Sequence, residues 1–229
     1  AAAASAPASA LIAMDLALAL ESSPHYPRGA PAARVTSLAV SLDGLESARV
    51  PAALRGLRSL SLAANHISKM GAGDLSACGA RLLQLSLRDN RLRGDGRGLG
   101  AALRACPGLT ALDVSMNRLE ALPQLARLCP RLTDVNAAGN ALGAADWAAG
   151  LDALQRLNVY RNRIRTLTGL GPMPRLAAVD AGRNLLTALP PEALRGCPQL
   201  ESLALYGNRI GGGVDVGAGP GGAGPPQNG

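Results

Sequence analysis

The segment LQRLNVYRNRI, residues 154–164, places Leu154, Leu157, Val159, Asn162 and Ile164 at offsets 0, 3, 5, 8 and 10, and this comb recurs eight times in the 229-residue chain. Its first teeth are Val35, Leu57, Leu82, Leu109, Leu132, Leu154, Leu176 and Leu200, spaced by 22, 25, 27, 23, 22, 22 and 24 residues. A repeat of about 20–29 residues argues against one large irregular core. Each unit buries its apolar teeth only against its neighbours, so the chain coils into a solenoid of eight rungs. The residues available agree: hydrophobic side chains make up 48% but aromatics only 2%, with no phenylalanine. The layers must therefore be built from leucine, valine and alanine.

At offset 8 stand Asp43, Asn65, Asn90, Asn117, Asn140, Asn162, Asn184 and Asn208, in segments such as LRSLSLAANHI, LLQLSLRDNRL, LTALDVSMNRL and LESLALYGNRI. With the pattern L-x-x-L-x-L-x-x-N-x-L the chain resembles the leucine-rich repeat family over residues 35–210. The resemblance implies an α/β solenoid, a right-handed superhelix with a concave parallel β-sheet and short 3₁₀ or α segments on its convex side. Period-2 alternation turns Leu157 and Val159 inward and leaves Arg156 and Asn158 facing out. Rungs about 4.8 Å apart give a sheet roughly 35–40 Å along. Where each strand ends the chain turns sharply, and an inward asparagine satisfies the backbone groups that no ladder reaches. The seven asparagines from Asn65 to Asn208 are thus expected to be structural.

The return segments carry apolar residues every third position, as in Leu119, Leu122, Leu125 and Leu128, which suits short 3₁₀ or helical turns. These rungs resemble the 22-residue class of cytosolic and nuclear proteins, related to a phosphatase-1 regulatory subunit and an axonemal dynein light chain. The longer rungs, 57–81 and 82–108, leave room for longer helices at LSACGARL and GLGAALRAC. Cys106, Cys129 and Cys197 share one repeated position and read as small buried hydrophobes, with Cys78 one place off. No C-x-x-C pair is present for zinc, and thiols left to fill a core fit a reducing compartment. Trp147 reads as core of the outer segment.

The expected organisation is an N-terminal cap or degenerate first repeat with an irregular loop at 1–34, the repeat domain at 35–210, and a disordered Gly/Pro-rich tail at 211–229. The chain begins with alanine, which reads as a fragment or a processed product. The run ALIAMDLALAL (10–20) contains Asp15 and lacks a basic flank, which argues against a secretory signal, and no apolar run approaches the roughly 20 residues of a membrane span.

Little in the sequence supports catalysis. Two histidines, His25 and His66, assemble no triad or metal site, and GDGRGLG (94–100) fails the phosphate-loop pattern because Leu99 stands where its third glycine belongs. We expect no cofactor and no enzymatic activity. The net charge of +7 comes from 22 arginines and Lys69 against 16 acids, spread along the chain, with few aromatics for stacking bases. Nucleic acid is accordingly disfavoured as a partner. His66, Arg91, Arg118, Arg163 and Arg209 share one position, read either as a solvated row or as a basic strip for an acidic partner.

What remains is the outward face of the sheet, bland in the early rungs and richer in the late ones. The candidate protein-binding residues are Arg88, Asp113, Met116, Asp134, Arg156, Tyr160, Arg161, Asp180, Arg183 and Tyr206. Tyrosine and arginine anchor interfaces because they bury apolar area while keeping a polar tip. Tyr160 and Tyr206 occupy one position two rungs apart, on the order of 10 Å, and Asp113, Asp134 and Asp180 read as a parallel acidic row. The competing reading is a solvated face kept polar for solubility. The resemblance implies a noncatalytic scaffold or regulatory subunit with a protein partner, intracellular and cytoplasmic, with a cytoskeletal or ciliary axonemal role suggested by composition. The alternative is the regulatory repeat region of a larger multidomain protein or enzyme.

Overall fold

A computed structural model describes residues 34–41, 44–46, 48–190 and 193–211. The expected N-terminal cap before residue 34, the tail beyond residue 211 and Asp43 lie outside the described residues. Eight three-residue strands form one parallel sheet: β1 (Ser37–Ala39), β2 (Ser59–Ser61), β3 (Gln84–Ser86), β5 (Ala111–Asp113), β7 (Asp134–Asn136), β8 (Arg156–Asn158), β9 (Ala178–Asp180) and β10 (Ser202–Ala204). They lie side by side in chain order, because each rung makes one circuit before the next begins. The register pairs Leu60 with Leu85, Leu112 with Val135 and Leu157 with Val179, so the central tooth of every rung faces the same wall.

A second sheet, unforeseen from the sequence, joins β4 (Arg93–Gly94) to β6 (Arg118–Leu119) just beyond the asparagine turn. On the convex side the returns form 3₁₀ turns at Ala52–Leu54, Gly79–Arg81, Asp146–Ala148 and Thr168–Leu170, and two short helices, α1 (Arg97–Leu103) and α2 (Leu125–Leu128). GLGAALRAC falls largely on α1 as expected, whereas LSACGARL does not form a longer helix and yields only the 3₁₀ turn. Its rung is two residues shorter (25 against 27), and a Cβ on Gly79 would lie 2.5 Å from the Ala105 carbonyl oxygen, so the neighbouring rung crowds this return.

The asparagines knit rungs together by bonding to backbone, not to one another. Asn162 Nδ2 donates to the Ala137 carbonyl of the preceding rung at 3.0 Å and to its own Val159 and Tyr160 carbonyls at 3.0 and 3.3 Å, while its Oδ1 accepts the Leu142 N–H at 3.0 Å. Asn90, Asn117, Asn140 and Asn184 repeat the pattern. Six of the seven are buried; Asn140 is half-buried. The turn has a cost that the comb did not reveal. The residue before each asparagine is left-handed, and at Ala64, Asp89, Met116, Arg161 and Arg183 it is not glycine, with φ of 51–56°. Such conformations are unfavourable for residues with a Cβ, and the asparagine bonds hold them in place.

All four cysteines are free and buried. Desolvation pushes the Cys78 thiol up to about 11 and those of Cys106 and Cys129 up to about 12, with the neighbouring Cys129 and Cys78 adding to the effect at Cys106. Because the folded state holds these protons more tightly than the unfolded chain, stability is full below the ordinary thiol value of 9.0 and declines as pH rises from there toward 12. The native protein should therefore resist alkylation at pH 8 until denaturant is added, and its urea midpoint should fall between pH 9 and 11. Prompt labelling of three or more thiols in native protein contradicts this.

Candidate functional site: the concave face and its tyrosine rim

Strand residues at offsets 2 and 4 from each first tooth floor an open groove of about 690 Å³ that runs across seven strands. Asp113, Asp134, Arg156 and Asp180 line it, as expected. They do not form one acidic row. Asp134 sits at offset 2 beside Arg156, with which it forms an ion pair, whereas Asp113 and Asp180 sit at offset 4, in register with Asn136 and with Asn158 respectively. The miscounted register came from reading outward positions as equivalent when every strand shows two of them.

The offset-4 side chains also have a structural task. Asp113 Oδ1 accepts the Ser115 N–H at 2.9 Å, Asn136 Oδ1 the Ala138 N–H at 3.2 Å, Asn158 Oδ1 the Tyr160 N–H at 3.0 Å and Asp180 Oδ1 the Gly182 N–H at 3.0 Å. Each closes a turn at its strand's end. Asn136 Nδ2 additionally reaches Asp113 Oδ2 at 3.3 Å.

Arg88, Met116, Tyr160, Arg161, Arg183 and Tyr206 are not on the groove floor. They stand where the strands end, at offsets 6 and 7, and form its rim; Met116, Arg161 and Arg183 are the left-handed turn residues. Among the described residues, two of the three exposed large apolar side chains, Met116 at 47% and Tyr206 at 36%, stand on the rim, and the third, Leu83, precedes its strand. The Tyr160 and Tyr206 ring centroids are 5.9 Å apart at an interplanar angle of 41°, closer than their two-rung separation suggests. Gly182 permits this approach. A Cβ there would lie 2.9 Å from Tyr206 Cζ, so the missing side chain lets Tyr206 lean toward Tyr160 over the glycine backbone. The Arg183 guanidinium lies 6.0 Å from the Tyr160 ring centre, at the outer reach of a cation–π contact. Partial desolvation and the nearby Asp180 carboxylate raise the Tyr206 phenol, so it remains a neutral donor.

The parallel sheet, the asparagine ladder and the rung period together define a leucine-rich repeat solenoid. Among proteins of known description it is similar to a Roc-COR-CHAT protease of an unknown prokaryotic organism, 32% identical over 180 residues, which are 78% of this chain and 16% of that protein. It is also similar to podocan-like protein 1 of Mus musculus, 33% identical over 177 residues, and of Homo sapiens, 34% over 153, covering 74% and 66% of this chain and 30% and 29% of those proteins. The chain thus spans about a third or less of each of these relatives. No family model matches it. Solved structures with the same fold include internalin C2 of Listeria monocytogenes, with a TM-score of 0.64, 22% identity and coverage of 81% of this chain and 76% of that one. Another is a TLR13–ssRNA13 complex, with a TM-score of 0.60 and 22% identity over 75% of this chain and 25% of that one.

These relatives correct the expected intracellular, cytoplasmic setting and its cytoskeletal or axonemal variants. Podocan-like proteins belong to the secreted extracellular matrix, which points away from the cytoplasm. The buried thiols do not fix the compartment, because a buried cysteine held as thiol reacts poorly in any of them and its reduced state reports burial, not redox environment.

Proposed function

We propose that the chain is a noncatalytic interaction module that binds a protein partner across the concave face of rungs three to eight, anchored at the rim by Tyr160, Arg183 and Tyr206. One observation carries this reading: the two late-rung tyrosines and an arginine converge at the mouth of a groove whose early rungs offer only serine and alanine. Arg88, Met116 and Arg161 extend the rim, and Asp113, Asp134, Arg156 and Asp180 supply polar contacts on the floor. Clustered tyrosine and arginine give the large buried area and fixed polar tips from which hot spots are made.

A second reading is favoured by the relatives' lengths. The Roc-COR-CHAT protease match covers 16% of that protein, so the same face would serve as the regulatory repeat region of a larger multidomain protein. Both readings share one test. The Tyr160→Ala, Arg183→Ala double variant should keep the wild-type unfolding temperature within a few degrees and weaken partner capture by about 100-fold or more, since each hot-spot truncation is worth about 2 kcal/mol. Capture undiminished in the folded variant removes this site.

A further inference from the structure

Arginines scattered along the sequence are gathered in space by the solenoid. The position just after the asparagine forms a second continuous backbone ladder: the Arg91 N–H bonds to the Ile67 carbonyl, Arg118 to Leu92, Ala141 to Leu119, Arg163 to Leu142, Leu185 to Ile164 and Arg209 to Leu186, at 2.8–2.9 Å. These residues are therefore stacked on consecutive rungs of one flank, outside the concave groove. Four of the six are exposed arginines, and Arg93 and Arg165 stand exposed two residues along from Arg91 and Arg163. Between offsets 9 and 11 of rungs three to eight the only acid is Glu120. None of the six arginines has an ion-pair partner among the described residues. Arg93 and Arg118 are direct partners in the β4–β6 register, like charges side by side on adjacent strands, an arrangement that costs stability unless an anion neutralises it.

We propose that this flank binds an extended sulfated polysaccharide strand. The arginines at the ladder position fall on rungs three, four, six and eight, so after the first pair the charge recurs every two rungs, about 10 Å apart. That is a linear array at constant azimuth, suited to a stiff single chain bearing anionic groups at disaccharide intervals. Guanidinium forks engage the paired oxygens of sulfate in the bidentate manner they use on phosphate and carboxylate. Single-stranded nucleic acid fits less well, because its bases need aromatic platforms and the flank positions from Arg91 to Gly211 hold none. Relatives that point away from the cytoplasm favour the same ligand. This surface lies just beyond the rim, past the asparagines, and shares none of its six arginines with the rim, so the proposal does not rest on the protein-binding reading.

The test measures affinity for a heparin dodecasaccharide, fully desulfated heparin, poly(dT) and duplex DNA as a function of salt. Two variants remove equal charge from exposed positions on opposite flanks: Arg91→Ser, Arg118→Ser, Arg163→Ser, and the control Arg81→Ser, Arg131→Ser, Arg175→Ser. Heparin should bind with steep salt dependence and desulfated heparin should not. If each lost contact removes about 0.7 from the salt slope, the first variant should bind heparin roughly 50-fold more weakly at about 0.15 M salt. The control should change by less than about 3-fold, the difference expected if three specific contacts are absent from its flank. Equal weakening in both variants, unaltered affinity in the first, or binding of poly(dT) or duplex DNA as tight as heparin at matched salt overturns the proposal.

Discussion

Replacing Asn162 by leucine should lower the unfolding free energy by about 3–4 kcal/mol, although leucine has nearly the same size and the site is buried with 7% exposure. The effect comes from unequal losses among its bonds. The Ala137 and Val159 carbonyls each keep a second asparagine donor, from Asn140 and Asn184, and so lose only part of their hydrogen bonding. The Leu142 N–H has only the Asn162 Oδ1 as acceptor and becomes an orphaned buried donor, which alone costs about 1–3 kcal/mol. The left-handed Arg161 next to it also loses the clamp that holds its conformation. Urea unfolding at pH 7 measures the change; a loss below about 1 kcal/mol shows that the ladder is dispensable to the rung.

Trp147→Ala should cost about 3–5 kcal/mol, the range for emptying a large aromatic site. Trp147 is the only tryptophan, is 2% exposed, and fills the convex layer on a 3₁₀ turn that packs between α2 and the Thr168–Leu170 turn. The other buried residues of that turn and the two elements beside it are Ala148, Leu125 and Leu170, and truncation removes the donor that meets the Ala144 carbonyl at 3.0 Å. Thermal and urea unfolding should both register the loss, and the effect should spread to the neighbouring rungs four and six because a solenoid's stability is carried by nearest-neighbour interfaces. A variant within 1 kcal/mol of wild type means that the convex layer collapses to fill the space.

The two changes probe opposite walls of adjoining rungs, five and six, and both walls were partly legible in the sequence. The asparagine role followed from a repeated polar residue in an apolar comb, and Trp147 from its place in the outer segment. The rim was harder to read. Tyr160, Arg183 and Tyr206 were identifiable as residue types in the right rungs, but Gly182, the residue that lets the rings approach to 5.9 Å, gave no signal beyond being small. Met116, Arg161 and Arg183 were read as strand positions. Their left-handed backbone places them on the turn, and the mark it left in the residue pattern was the glycine at the same offset in two other rungs, Gly139 and Gly207. The shared comb position of Arg91, Arg118, Arg163 and Arg209 was legible, whereas the backbone ladder that makes these residues, dispersed along the chain, adjacent in the fold was not.

The periodic comb by itself determined the solenoid, the parallel sheet, the inward teeth and the structural asparagines, because each is a local consequence of side-chain alternation and backbone hydrogen bonding repeated at one interval. Only the tertiary structure decided which outward residues meet. It separated the acidic positions into two rows, placed six of the ten candidate residues on the rim instead of the floor, and stacked the arginines of the shared comb position on one flank. Contacts between rungs depend on the azimuth at which each side chain leaves the coil, and that angle is set by turn geometry and by what the neighbouring rung leaves empty.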